Sequence, residues 1–228
     1  MAQDHQLLSP NTRLNSMIHL CFEYISMEDK QRFVLEFRRL SPASSQILHT
    51  FRELVLGAYL ASTGIAVRYQ SRIEGRTPDW SLLKDGRLAG YVDLINFHID
   101  RKTETQIEEQ HQARRVAAYW RDENKDNAAR LYQALQKKAQ HYSQLAAVTG
   151  LPWAIALFPE FLSAVDFADD VLPSLVNPDS GIFPSYPSVS GLLYFEEASG
   201  TYFFNYTPNP VARISLILRS GEFPTRAA

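Results

Sequence analysis

From Asn11 to about Ser62, apolar residues recur at spacings of three and four, which predicts two or three helices with breaks near Ser26 and at Ser41-Pro42. The last of these, roughly Ser44 to Ala61, stops at Gly64, and Ile65 to Tyr69 then alternates apolar and polar positions as a half-buried strand does. A second strand is expected at Asp79 to Leu83, a tight turn at Asp85-Gly86, and a long third strand at Leu88 to Phe97. Helical spacing returns over Thr103 to Gly150, charged in its first half and amphipathic in its second, with a break expected at Asp122 to Asp126. Trp153 to Phe158, an apolar run between Pro152 and Pro159, predicts a fully buried strand. A helix over Phe161 to Val176, a proline-containing loop over Asn177 to Ser190 and a hairpin of Gly191 to Phe195 with Thr201 to Tyr206 complete the pattern. The order ααβββαβαββ predicts an α/β (α+β) fold with one mixed central sheet flanked by helices.

Composition narrows the class. The chain has 228 residues, 45% of them hydrophobic, enough for one sizeable core, and it shows no internal repeat or separating linker. The expected organisation is a single domain over 1–228, with an N-terminal helical extension at 1–43, a core at 44–160 and a C-terminal elaboration at 161–228. Acids nearly balance bases, for a formal net charge of -2, so any polyanion must be met by a local basic patch. Cys21 is the only cysteine, which excludes an internal disulfide, and the first residues lack the basic start and apolar stretch of a signal peptide. No window approaches the ~18 apolar residues of a membrane span. A cytoplasmic protein with no membrane partner is expected. The histidines show no ligand spacing with one another or with Cys21, which argues against zinc, and no glycine-rich loop suggests a nucleotide.

The informative segment runs from Arg72 to Phe97. Pro78-Asp79 opens one strand, thirteen residues intervene, and Asp93 sits in the middle of the next, sharing a face with Tyr91 and Ile95. Aspartate is depleted from strands, and a carboxylate in an apolar run loses hydration unless it is paired or binds a metal. Two acids brought together from adjacent strands make a hard-oxygen site suited to Mg²⁺ or Mn²⁺.

Pro78-Asp79 and Asp93, with the helical Glu53 upstream and the order helix, three-stranded meander, helix, strand over Phe51 to Phe158, resemble the PD-(D/E)XK nuclease superfamily of restriction-endonuclease-like fold. In that family Pro-Asp begins one core strand, and Asp or Glu, any residue, then Lys lies on the next. This chain departs at the third position, where Ile95 stands in place of lysine. Some members carry the lysine on the following helix. Here Leu131, Leu135, Lys138, Tyr142 and Leu145 fall on one helical stripe, which makes Lys138 the candidate. The segment around Lys138, with the C-terminal S-V-S-G-L-L-Y-F and N-P-V-A segments, is similar to uncharacterised bacterial members. The resemblance implies metal-dependent phosphodiester hydrolysis of nucleic acid, most simply DNA, and it allows a homodimer. Asp79, Asp93 and the backbone carbonyl of Leu94 or Ile95 would hold Mg²⁺ (or Mn²⁺). Lys138 would stabilise developing charge, and Glu53 would ligate a second metal or hold Lys138. Arg72, Arg76, Arg101 and Lys102 would supply the local positive surface.

Each assignment has a plainer counterpart. Pro78-Asp79 also suits an ordinary turn, Asp93 a helix cap or a buried ion pair, Lys138 a lysine whose stem packs while its head reaches water, and Glu53 a solvated helix residue. If Ile95 has removed the catalytic lysine, the chain is an inactive nuclease-fold protein that binds nucleic acid or protein. Register imposes a condition on the acid pair. A two-residue loop at Asp85-Gly86 pairs Asp79 with Val92 and sends Asp79 and Asp93 to opposite faces. A three-residue loop over Lys84 to Gly86, or an equivalent bulge, makes them neighbours on one face, and that odd-residue geometry is what the site predicts.

Overall fold

A computed structural model describes residues 12–40, 45–98, 121–159 and 171–224. Helices α1 (Thr12–Tyr24), α2 (Met27–Arg39) and α3 (Ser45–Ser62) lead into strands β1 (Ala66–Tyr69), β2 (Trp80–Lys84) and β3 (Arg87–Phe97). Then come α4 (Arg121–Thr149), β4 (Trp153–Pro159), the short helices α5 (Leu172–Val176) and α6 (Ile182–Ser185), and strands β5 (Gly191–Ala198), β6 (Thr201–Pro208) and β7 (Gly221–Phe223). The protein is mixed α/β, with one seven-stranded mixed sheet in the order β1 to β7 and helices against it. β1, β2 and β3 form an antiparallel meander, β4 and β5 are parallel, and β5, β6 and β7 are antiparallel. Among the described residues, no helix is long and apolar enough to cross a membrane.

The chain divides into two compact units, Met1–Asp93 and Leu94–Ala228. In the first, α3 is buried along Phe51 to Leu60 and packs on β1, while Phe33 of α2 stacks on Tyr69 with ring centroids 4.0 Å apart. The start of α2 follows from Ser26, whose hydroxyl oxygen accepts the Asp29 amide at 3.1 Å. Asp29 itself is buried, and its Oδ1 accepts the backbone N–H of Tyr69 at 3.0 Å, while Arg32 donates to the Tyr69 carbonyl at 2.7 Å. β1 is the outer strand of the sheet, so these two α2 side chains cap backbone groups that no further strand pairs.

In the second unit, α4 buries Leu131, Leu135, Ala139, Tyr142 and Leu145 and packs on β4, every residue of which is buried. The break expected at Asp122 to Asp126 is absent: α4 runs unbroken from Arg121. No proline or glycine occurs over that stretch to interrupt the backbone bonds, so charge alone does not end the helix. β7 was not foreseen, because three residues are too few for an alternating pattern to register. Of the helix expected over Phe161 to Val176, α5 is the described part, and 160–170 lies outside the described residues.

Candidate functional site

The β2–β3 hairpin decides whether Asp79 and Asp93 share a face. Its loop is the two-residue Asp85-Gly86, with φ of 51° and 75°, and Lys84 pairs with Arg87. Both residues occupy the left-handed region that such a turn demands and that Gly and Asp tolerate best. The three-residue loop is therefore not what forms. Instead, the register shifts further along, between Leu82 and Leu83: Leu83 pairs with Leu88 and Leu82 with Gly90, which leaves Ala89 as an extra residue on β3. Ser81 then faces Tyr91 and Trp80 faces Val92. One step on, Asp79 comes opposite Asp93, so the bulge puts the two acids on one face. The backbone N–H of Asp79 donates to Asp93 Oδ1 at 3.1 Å.

Asp93 is buried, 3% exposed, between Tyr91 and Ile95 on its own face of β3. Asp79 is half-buried at the mouth of β2, and its carbonyl accepts the amide of Gln70 at 2.9 Å. The Asp79 backbone is thus pinned at its carbonyl by Gln70, just past the end of β1, and at its N–H by the Asp93 carboxylate. An amide bound to an ionised oxygen is the stronger kind of hydrogen bond, and it fixes the rotamer of Asp93 as well as the backbone of Asp79.

Glu53 is also buried, on α3. Its Oε2 accepts the hydroxyl of Tyr69 at 2.5 Å, its Oε1 lies 2.9 Å from Nε2 of His49, and its backbone carbonyl accepts Nε1 of Trp80 at 2.7 Å. Gln70 donates to the same Tyr69 hydroxyl at 2.8 Å. Burial, reinforced by the Glu53 charge and hydrogen bond and then by the charge of Asp79, pushes the Tyr69 phenol well above its ordinary range, so it stays protonated and donates. Strand pairing puts the Tyr69 side chain on the face of Trp80 and Val92, whereas Asp93, one residue on from Val92, points to the other face. Glu53 is held from α3 against the Tyr69 hydroxyl.

The resemblance in the sequence implies a divalent metal, and the donors present bear on whether one would fit. Among the described residues, no group of three or more His, Cys, Asp or Glu side chains converges to hold an ion. The carboxylate oxygens of Glu53 already serve Tyr69 and His49. At the hairpin, Asp79 and Asp93 lie opposite each other, and Leu94 follows on β3. Mg²⁺ commonly accepts one or two carboxylates and completes its shell with water and substrate phosphate. Two carboxylates match Mg²⁺ in donor type, and among the described residues they do not form a closed protein cage.

Lys138 lies on α4 in the second unit, half-buried, with its Nζ 6.0 Å from the centre of the Tyr142 ring. The most buried position of that turn belongs to its neighbour Ala139, so Lys138 occupies the margin of the apolar stripe rather than its centre. Ile95 is buried on β3. Arg72 and Arg76 are exposed in the loop between β1 and β2, where the backbones of Ile73 and Arg76 exchange two 2.8 Å hydrogen bonds. Arg101 and Lys102 lie outside the described residues.

Tyr69, His49 and Gln70 escaped the reading of the sequence. His49 and Glu53 stand four apart on one helix, a spacing that signals contact, but nothing in the sequence connects them to a tyrosine at the end of a strand. A scan against protein-family models finds no match for this chain, and no curated protein or solved structure matches it.

Proposed function

We propose that the chain is a nuclease-like protein that hydrolyses phosphodiesters of nucleic acid, DNA foremost, with Asp79 and Asp93 at its reactive centre. The observation that carries this reading is the seating of the Asp79 backbone N–H on Asp93 Oδ1 at 3.1 Å, across two strands whose bulge turns both acids to one face. A bound Mg²⁺ would polarise a phosphoryl oxygen and lower the pKa of an attacking water. The chain's own residues divide the remaining tasks. Buried Asp93 is the fixed donor, and half-buried Asp79 is the one at the rim. Arg72 and Arg76, exposed in the loop that precedes Pro78-Asp79, would meet backbone phosphates on this reading. With Ile95 at the strand position, Lys138 is the lysine this reading nominates for charge stabilisation.

A second reading has its own support: Ile95 stands where the family has lysine, and the carboxylate of Glu53 is consumed by Tyr69 and His49. On that reading the protein keeps the fold and binds nucleic acid without cutting it. One experiment separates them. Single- and double-stranded DNA are incubated with Mg²⁺ or Mn²⁺ and wild type, Asp93→Asn or Lys138→Ala protein, while calorimetry follows metal binding. Cleavage that falls by about a hundredfold or more in Asp93→Asn supports the nuclease. Equal cleavage by all three proteins sinks the assignment, and DNA binding without cleavage or metal uptake supports the second reading.

A further inference from the structure

We propose that Arg68 and Ser81 form an anion subsite beside the acid pair, which takes the phosphate next to the one attacked, so that the substrate is a nucleic-acid strand rather than an isolated phosphodiester. The inference rests on the phosphodiester reading of Asp79 and Asp93 and names what else that site would hold. All four residues lie in the first compact unit, Met1–Asp93.

Strand register places them together. Arg68 of β1 pairs with Ser81 of β2, and Ser81 pairs with Tyr91 of β3. Direct partners share a face of the sheet, and so do residues two apart on one strand. Ser81 is two residues after Asp79 and Tyr91 two before Asp93, so Arg68, Ser81 and Tyr91 form a row on the face of the acid pair. Tyr69, Trp80 and Val92 take the opposite face, where Tyr69 and Trp80 stack on Phe33 of α2. The two rows stand ~6.8 Å apart, two residues of strand rise, which is close to the repeat of phosphates along an extended nucleic-acid strand.

Each row joins a buried group to one nearer solvent. Asp93 is 3% exposed and Asp79 half-buried; Ser81 is 1% exposed and Arg68 exposed. Ser81 therefore stands at the depth of Asp93, and Arg68 at the rim with Asp79. Among the described residues, none makes a hydrogen bond with Ser81 Oγ. A buried hydroxyl in that state costs stability, which alanine at 81 would avoid in nearly the same volume. Arg68 likewise makes no hydrogen bond or ion pair among the described residues, although two acids stand one row away. A guanidinium fork matches a pair of phosphate oxygens, and the Ser81 hydroxyl supplies one more donor from below. Both groups are thus left to an anion that the acid row, with its metal, would hold at the other end.

The test compares two substrates in Mg²⁺: oligothymidylate, which carries flanking phosphates, and bis(p-nitrophenyl) phosphate, which has a single diester. Arg68→Ala should lower the kcat/KM preference for oligothymidylate about tenfold or more, mainly through KM, and Arg68→Lys should restore part of it. Binding is read separately by anisotropy on fluorescent oligothymidylate, with Ca²⁺ in place of Mg²⁺. In Arg68→Ala the slope of log affinity against log salt should fall by about 0.7, the share of one phosphate contact on a single strand. Ser81→Ala should weaken the same binding severalfold while the Tm of the free chain holds or rises. Wild type that binds oligothymidylate with an affinity and salt slope that Arg68→Ala leaves intact overturns this inference and leaves the nuclease reading standing. Equal losses on both substrates overturn it as well, because a flanking contact acts only on the longer one. A Ser81→Ala chain that melts lower yet binds as tightly as wild type takes Ser81 out of the subsite and overturns the pairing with Arg68. Wild type that neither binds nor cleaves oligothymidylate overturns both readings.

Discussion

Replacing Glu53 with glutamine separates a strut from a ligand. The buried carboxylate accepts the Tyr69 hydroxyl at 2.5 Å and faces His49 at 2.9 Å. An amide keeps one accepting oxygen and turns an NH₂ group toward the other donor, so one charge-assisted bond is lost, worth ~1.5–3 kcal/mol. Part of that returns because no charge is buried any longer, and a net loss of about 1–2 kcal/mol is expected. For a chain of this size, that lowers Tm by about 2–8 °C in a thermal scan at pH 7. The alkaline limb carries a second signature. Tyr69 has its phenol pKa raised in the folded state, so its contribution to stability is complete below the unfolded value of about 10 and drains away as pH rises above it. Glu53→Gln removes the Glu53 charge, the second-ranked cause of that rise, while burial, the largest, remains. The folded pKa falls toward the ordinary value, and the Tyr69 share of the stability lost above pH ~10 shrinks. On the proposed nuclease reading, Mg²⁺ binding at Asp79 and Asp93 should be unchanged. An unaltered Tm together with a lost heat of Mg²⁺ binding would refute this reasoning and return Glu53 to the ligand set.

Gly57→Ala should unfold at lower urea despite a better helix former, because an added Cβ would fall 1.9 Å from Cζ2 of Trp80, which is fully buried, stacked by Phe33 and tied to Glu53. The helix gain of ~1 kcal/mol is outweighed by an overpacking cost of ~1–3 kcal/mol and the loss of the indole bond at ~1 kcal/mol. Cys21 is fully buried and its thiol is pushed far up by burial, so a thiol reagent at pH 8 should leave the native protein unlabelled and modify it fully in denaturant. Prompt labelling of native protein would contradict that burial.

Local chemistry made the elements readable and left the site half-readable. α3, the meander, β4 and the β5–β6 hairpin follow from spacing and turn residues, because each hides one face and the hidden face leaves a period in the sequence. Asp79 and Asp93 were found as exceptions to that period. The bulge at Ala89 leaves no such trace, since its cause is the packing of a whole hairpin rather than any residue type. The Tyr69 cluster was hidden for a related reason: Asp29, Arg32, Glu53 and Gln70 reach it from two helices and a turn, and such convergence exists only once the chain has folded.

That bulge also bears on what Asp93 is for. With Lys84 paired to Arg87, an unbroken ladder would set Asp79 against Val92, and the two acids would leave the strands on opposite faces. One additional residue on β3 reverses this, at the cost of an irregular ladder near Gly90. If the purpose were only to hold the Pro78-Asp79 peptide, asparagine at 93 would accept the same amide without a buried charge, and the bulge would still align it. The ionised carboxylate adds nothing to that structural task that the amide lacks except its charge. A hard, anionic oxygen facing a second acid is what the proposed phosphodiester chemistry requires, which is why Asp93→Asn, rather than alanine, is the variant that distinguishes a strut from a reactive group.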